Sequence, residues 1–517
     1  MVRGLRRGVL WVLAGSLAVS TLLSAGCGAS DTGNGDARDV DPGDLDAPLD
    51  ARDAADLDAA PEPWPWPTCE RLRAGSLRLV DKAAWLDALV PAQHLGDGLL
   101  RTIRQRPDGD TMDHQPSTGL WTGMYLASQA FRYAVTGDPE AQENAAVAVA
   151  ALHDLAAVTG VPGLYGRAYQ RPEAAYAYTF DGSTSPSWEA SPTPGYEGWW
   201  YSHEVSKDTM DGIVFGYAAA LEHLDDPALQ AQIRADLTAF VQPFVAHGLR
   251  ILTGEGVPTE HGKLFYGALD DFPGFNALLS LSWLQTAIAA NASAGQPDAA
   301  LVHFYDDCLL RLGDRSDCPT LDPVDLGSYL DVIETWLHVY RSGCLTSYDN
   351  IDMIFHALYP LLRREQRAAL RQRLLAVLEV GVWRPEPGND EPPLYRSTHA
   401  LYTLLYGALA QPSPDDPIFR QALDEGVCTL FELPRDRHDR DVAAGDQPVA
   451  CTNRLDHPNA ATVIPLLERN FDNYVWRLDP YEIPAAHAAV PELVYSPEDF
   501  LLAYWAGRYH GYLPPEL

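Results

Sequence analysis

Apolar residues recur every three or four positions over most of this chain, the period of a helix with one buried face. The pattern predicts helices at Trp121 to Val135, Ala141 to Leu155, Gly212 to Leu224, Ala228 to Val245, Phe275 to Ala289 and Tyr329 to Tyr340. It continues at Ile351 to Leu362, Arg367 to Leu378, Thr398 to Leu409, Ile418 to Leu430 and Pro497 to Tyr509. Strand-like alternation is scarce. Three connectors share one chemistry: Gly137-Asp138-Pro139-Glu140, Asp225-Asp226-Pro227-Ala228 and Asp415-Asp416-Pro417-Ile418. Each offers Asp as N-cap and Pro as first helical residue, so each closes one helix and opens its antiparallel partner. A second internal match pairs Lys207-Asp208-Thr209-Met210-Asp211-Gly212-Ile213-Val214-Phe215 with Tyr348-Asp349-Asn350-Ile351-Asp352-Met353-Ile354-Phe355. Both read as helix starts carrying two Asp three positions apart.

Composition sets the scale. The chain has 517 residues, 46% of them hydrophobic, which excludes wholesale disorder. Acids outnumber bases 71 to 37, a formal charge of −34, which argues against nucleic acid as a partner.

Residues 1–26 carry Arg3, Arg6 and Arg7, an apolar run from Val9 to Leu23, and Ser24-Ala25-Gly26 before Cys27. This is an export signal. It resembles a bacterial lipoprotein signal, which implies lipidation of Cys27; Ser24 departs from the usual leucine, and an ordinary signal peptide or uncleaved anchor is the alternative. Gly28 in place of Asp implies, by the same resemblance, the outer membrane. Residues 27–66 are Ala, Asp, Gly and Pro with almost nothing to bury, a solvated acidic tether. The folded domain is then expected over 67–517.

Beyond Cys27 six cysteines remain, Cys69, Cys308, Cys318, Cys344, Cys428 and Cys451, an even number that suggests disulfides in an exported chain. Cys308 with Cys318 and Cys428 with Cys451 are the nearest neighbours, although sequence cannot choose among the pairings. There is no CxxC, P-loop, GxSxG or HExxH, and His203, His399, His457 and His510 have no ligand spacing. No metal and no cofactor are expected.

Repeated helical hairpins, aromatic-rich helices such as Trp121-Thr122-Gly123-Met124-Tyr125-Leu126-Ala127, and aromatic-loaded loops make the chain resemble the six-hairpin glycosidase superfamily. That resemblance implies an all-α fold, the (α/α)6 toroid, over roughly residues 75–512. Trp121, Gly212, Asn276, Ile351, Tyr402 and Phe500 would lie on or beside its inner helices. Substrate would sit in a funnel at one end, with Trp121 and Tyr125 as contacts. Lanthionine-cyclase-like, terpene-cyclase-like and polysaccharide-lyase toroids share the outline, and fold does not fix chemistry.

Residues 161–206 resist any helix assignment yet hold ten aromatics, among them Trp199 and Trp200. Flat rings with polar edges suit sugars; a loop cover over helix ends is the plainer reading. The segment runs into His203, Glu204, Asp208 and Asp211, the densest ionisable set beside an apolar helix. Asp208 and Asp211 lie on one helix face, where they would share a proton. Glycoside hydrolysis needs carboxyls on opposite sides of the bond. Asp208 facing Asp349 is therefore the better pair, with N-capping as the competing role for both. His114, beside Asp113, and the loop segment Glu260-His261 are further acid–base or binding candidates, against the plainer reading of polar residues facing water. Arg167 suits a uronate carboxylate or an internal ion pair. The leading expectation is a cell-envelope enzyme that hydrolyses glycosidic bonds, with lyase or epimerase chemistry nearby; the alternative is a non-catalytic glycan-binding or scaffolding lipoprotein.

Overall fold

The computed structural model describes residues 77–517 apart from 114–116, 173–176, 179–182, 184–186, 266–271, 322–324, 338–342 and 385–392. Cys27, the tether, Cys69 and His114 therefore lie outside the described residues.

Helices dominate. In chain order they are α1 (Leu79–Leu89), α2 (Thr118–Thr136), α3 (Pro139–Ala157), α4 (Lys207–His223), α5 (Pro227–Ala246), α6 (Pro273–Ser293) and α7 (Ala299–His303). There follow α8 (Tyr329–Trp336), α9 (Tyr348–Arg364), α10 (Ala368–Ala376), α11 (Ala400–Ala410), α12 (Pro417–Glu432) and α13 (Glu498–Tyr509). The Asp-Pro connectors work as their chemistry demands. Asp138, Asp226 and Asp416 accept hydrogen bonds from the first free amides of α3, α5 and α12, and each is followed by Pro at the first position. Asp298 caps the five-residue α7 in the same way; neither α1 nor α7 was among the helices read from the sequence.

Alternate helices form a closed circuit of neighbours: α2 packs on α4, α4 on α6, α6 on α9, α9 on α11, α11 on α13, and α13 on α2. These six bear Trp121, Gly212, Asn276, Ile351, Tyr402 and Phe500. They are buried nearly all round, as Leu278, Leu284, Phe355, Leu401 and Phe500 illustrate, whereas α3, α5, α10 and α12 bury one face and lie against their preceding partners. α2 and α4 touch backbone to backbone: a Cβ on Gly123 would stand 2.1 Å from the Gly212 oxygen, and one on Gly216 would stand 2.2 Å from the Gly123 oxygen.

α1 supplies the outer partner of α13. Its Asp87 accepts from Trp505 Nε1 of α13 at 2.9 Å and from Gln129 Nε2 of α2 at 3.0 Å. Burial pushes the Asp87 carboxyl up to about 6. Lys82 caps the far end of α12, donating to Leu430 O at 2.6 Å and to Leu433 O.

The loops hold small sheets. Strands 102–104 and 111–113 join 493–494 and 177–178, while 188–190 and 169–170 flank 200–202. Parts of 161–206, read from sequence as structureless, are thus paired strand. Disulfides join Cys308 to Cys318 and Cys344 to Cys451, and Cys428 is also in a disulfide. The sequence neighbours Cys428 and Cys451 are not bonded to each other. Among the described residues no helix is long and apolar enough to cross a membrane.

Candidate functional site

α4 and α9 begin alike. Ser206 caps α4, accepting from Thr209 N, and Ser347 caps α9, accepting from Asn350 N. The capping role weighed for Asp208 and Asp349 therefore belongs to the serines two positions earlier, and each aspartate sits inside the first turn. There a carboxylate is favoured by the helix dipole while its oxygens stay available.

Both half-buried aspartates line one cavity of about 330 Å³. Ser117, Leu120 and Trp121 reach it from the start of α2, Asp352 and Met353 from α9, and Arg167 from the loop after α3. Asp472, Asn473 and Arg477 arrive from the long segment between α12 and α13. Arg477 is ion-paired to Asp472, and its guanidinium lies 5.6 Å from the centre of the Trp121 ring, which also meets Tyr474 at 5.1 Å. Arg167 donates to Ser117 Oγ at 2.7 Å, while its Nε finds no acceptor. Burial lowers its pKa, against the attraction of Asp208 and Glu204.

The carboxyls are tuned unequally. Burial first, then the charge of Asp208, holds the Asp349 carboxyl above the usual range. Burial pushes Asp352 up to about 7 against the opposing pull of His356. Asp211 is 1% exposed, well raised by burial and by Asp208, and stands behind the cavity wall rather than on it.

Other candidates lie elsewhere. Tyr125 is fully buried, so it is a core residue and not a ligand contact; its position one turn beyond Trp121 on a helix packed on all sides explains this. Trp199 packs on Tyr169 and Tyr196 with Arg171 above its ring, and Trp200 is in the paired strand 200–202. Neither ring lines the cavity. His203 lies 3.7 Å from Glu204, whose carboxylate accepts from the Glu260 amide at 3.0 Å. Glu260 and His261 are exposed on the strand 258–263. None of these lines the cavity.

Sequence reasoning passed over Asp472, Asn473 and Arg477. They stand in a non-periodic segment more than a hundred residues from α9, where only the clustering of charge and aromatics in Arg469-Asn470-Phe471-Asp472-Asn473-Tyr474 offers a signal. A larger cavity, about 560 Å³, opens between α12 and residues 461–466, but its acids, Glu425 and Glu432, share one helix. Among the described residues, the group at metal-ligand distances is His303 with Cys308 and Cys318, whose sulfurs are bonded to each other.

No family model and no curated relative matches the chain. Several solved structures do. An unsaturated glucuronyl hydrolase specific for heparin is 11% identical with a TM-score of 0.39, over 83% of this chain and 96% of that one. The cellulase Cel9M of C. cellulolyticum is 11% identical with a TM-score of 0.36, over 84% and 96%. The unsaturated glucuronyl hydrolase of Bacillus sp. GL1 is 13% identical with a TM-score of 0.33, over 83% and 94%. Likenesses this distant carry no functional argument, which rests on the cavity itself.

Proposed function

We propose that this chain is a carbohydrate-active enzyme that hydrolyses glycosidic bonds on an (α/α)6 toroid. One observation carries the reading: Asp208 and Asp349, from two different helices whose N-caps are filled by serine, share a cavity. In that arrangement Asp349, whose pKa is raised by burial and then by the charge of Asp208, is the acid that gives a proton to the leaving oxygen. Asp208 serves as the base that takes a proton from the attacking water. Arg167 and Arg477 offer donors to ligand oxygens, hydroxyl or carboxylate. Trp121 supplies an apolar wall for the sugar's C–H face. The circuit of six buried helices, each with an outer partner, supports the toroid. The reading extends to the cell envelope through the signal-like segment and Cys27.

The test is turnover of a panel of envelope glycans by Asp208→Asn and Asp349→Asn. Loss of proton transfer should lower the rate by ~10² to 10⁴, with melting temperature nearly unchanged because Ser206 and Ser347 keep the caps. Unaltered turnover in both variants would remove the pair. Saturable binding without product in the wild type would favour a glycan-binding lipoprotein.

A further inference from the structure

Behind the cavity wall the second aspartates of the two Asp-x-x-Asp segments converge on one histidine. His356, one turn beyond Asp352 on α9, is fully buried. Its Nδ1 lies 3.6 Å from Asp211 Oδ2 and its Nε2 lies 3.5 Å from Asp352 Oδ1. None of these four atoms has a hydrogen-bond partner elsewhere. Phe215 lies against the imidazole, with ring centres 4.8 Å apart. Asp352 lines the cavity; Asp211 does not.

Hydrogen-bond valence restricts what such a cluster can be. Burial drives the His356 pKa down, favouring the neutral ring, which has one N–H donor and one nitrogen acceptor. A neutral ring between two carboxyls needs at least one of them protonated, to donate to its bare nitrogen, while the other accepts from its N–H; with that second carboxyl ionised, the cluster carries one negative charge. Two arrangements meet that condition. In one, Asp352 O–H donates to Nε2 while Nδ1–H donates to the Asp211 carboxylate. In the other, Asp211 O–H donates to Nδ1 while Nε2–H donates to the Asp352 carboxylate.

We propose that Asp211, His356 and Asp352 form a proton-sharing chain that moves one negative charge between the core and the cavity wall. The step balances. Asp352 passes its proton to Nε2 as Nδ1 passes its proton to Asp211, or the reverse, and the three groups keep a single negative charge between them. No extra charge is created in the dry interior, which would be costly. Each gap closes by several tenths of an ångström to reach hydrogen-bond length, about 2.8 Å. Positive charge developing in the cavity draws the negative charge to Asp352, and a bound anion sends it to Asp211. Asp352 also feels Arg477, which favours its charge, and Asp349 and Asp211, which oppose it; Tyr402 and Tyr474 face it from α11 and the loop before α13. His356 and Asp211 are positioning residues, acting through Asp352. Use of the shift during hydrolysis rests on the proposed function; the chain itself does not.

The test is ¹⁵N-histidine NMR on the intact protein at pH 7, with infrared spectroscopy of protonated carboxyls. The His356 signal is assigned by its loss in His356→Gln or, if that buried change does not fold, by its displacement in Asp352→Asn. The expected result is a neutral ring exchanging between both tautomers, the minor one populated on the order of a tenth. A deuterium-sensitive carboxylic-acid band should accompany it and vanish in the Asp211→Asn, Asp352→Asn double variant. Asp352→Asn alone should leave one tautomer. An imidazolium at pH 7, a single tautomer in the wild type, or no protonated carboxyl would overturn the proposal. These readouts need no substrate, so they succeed or fail independently of turnover in Asp208→Asn.

Discussion

Gly123→Ala tests the contact that sets α2 against α4, and so the approach of Trp121 to Asp208. An added Cβ would stand 2.1 Å from the Gly212 oxygen and, by the same measure, 2.8 Å from the Ile213 nitrogen. These are backbone atoms, which cannot rotate aside as the end of a flexible side chain can. Restoring ordinary contact at 3.4 Å moves one backbone by about 1.3 Å. Overpacking of this kind costs ~1 to 3 kcal/mol, and the top of that range applies because the whole helix must move. Alanine's better helix propensity returns ~1 kcal/mol, leaving a net loss of about 2 kcal/mol. Urea denaturation reads it as a lower midpoint at unchanged slope. If the cavity is the active site, a displacement near 1 Å also lowers turnover by ~10²-fold. Gly381→Ala is the control, since nothing lies nearer its Cβ than Val377 Cγ1 at 3.8 Å; it should be neutral or slightly stabilising. A Gly123→Ala protein as stable as the wild type would refute the close-packing argument.

Two further outcomes follow. Asp352 keeps its proton up to about pH 7 in the folded chain, whereas an unfolded aspartate loses it near pH 4. Its stabilising contribution is therefore full below pH ~4 and is lost as pH rises to ~7; Asp352→Asn should flatten the decline of melting temperature over that window, and an unchanged slope would count against the buried acid. Cys27→Ala should release the protein from the membrane fraction without altering its melting temperature, because the sequence from 27 to 66 has almost nothing to bury; retention after a high-salt wash would refute lipid anchoring.

The hairpins were legible because helix periodicity and Asp-Pro caps are local chemistry: Asp138, Asp226 and Asp416 needed no tertiary information to act. That Asp208 and Asp349 stand alike in the first turns of two helices was legible too, through an internal match of two helix starts, and both line one cavity. The aromatic loop was not legible in this way. Burying a loop over helix ends and stacking a sugar demand the same flat amphipathic rings, so Trp199 and Trp200 looked alike under both readings. Asp472 and Arg477 were hidden for another reason. They occupy a segment without periodicity, and only the path of the chain back to α9 gives their charges meaning. The serine caps were readable in principle, as Ser-x-Asp at 206–208 and 347–349, but neighbouring acids compete for the same role on paper.

The junction of α1 with α13 joins parts of the chain made far apart in time. Roughly 400 residues separate Leu89 from Glu498, so at ~5 to 20 residues per second a ribosome takes on the order of 20 to 80 s to supply the partner. Until then α1 lacks this partner, and the Asp87 carboxylate lacks the Trp505 indole. The other helices can pair with neighbours in order of synthesis; this junction cannot. The contact that completes the circuit thus waits for α13, and a chain truncated before Glu498 would leave both α1 and α2 with apolar flanks open to chaperones, proteases or other copies of itself.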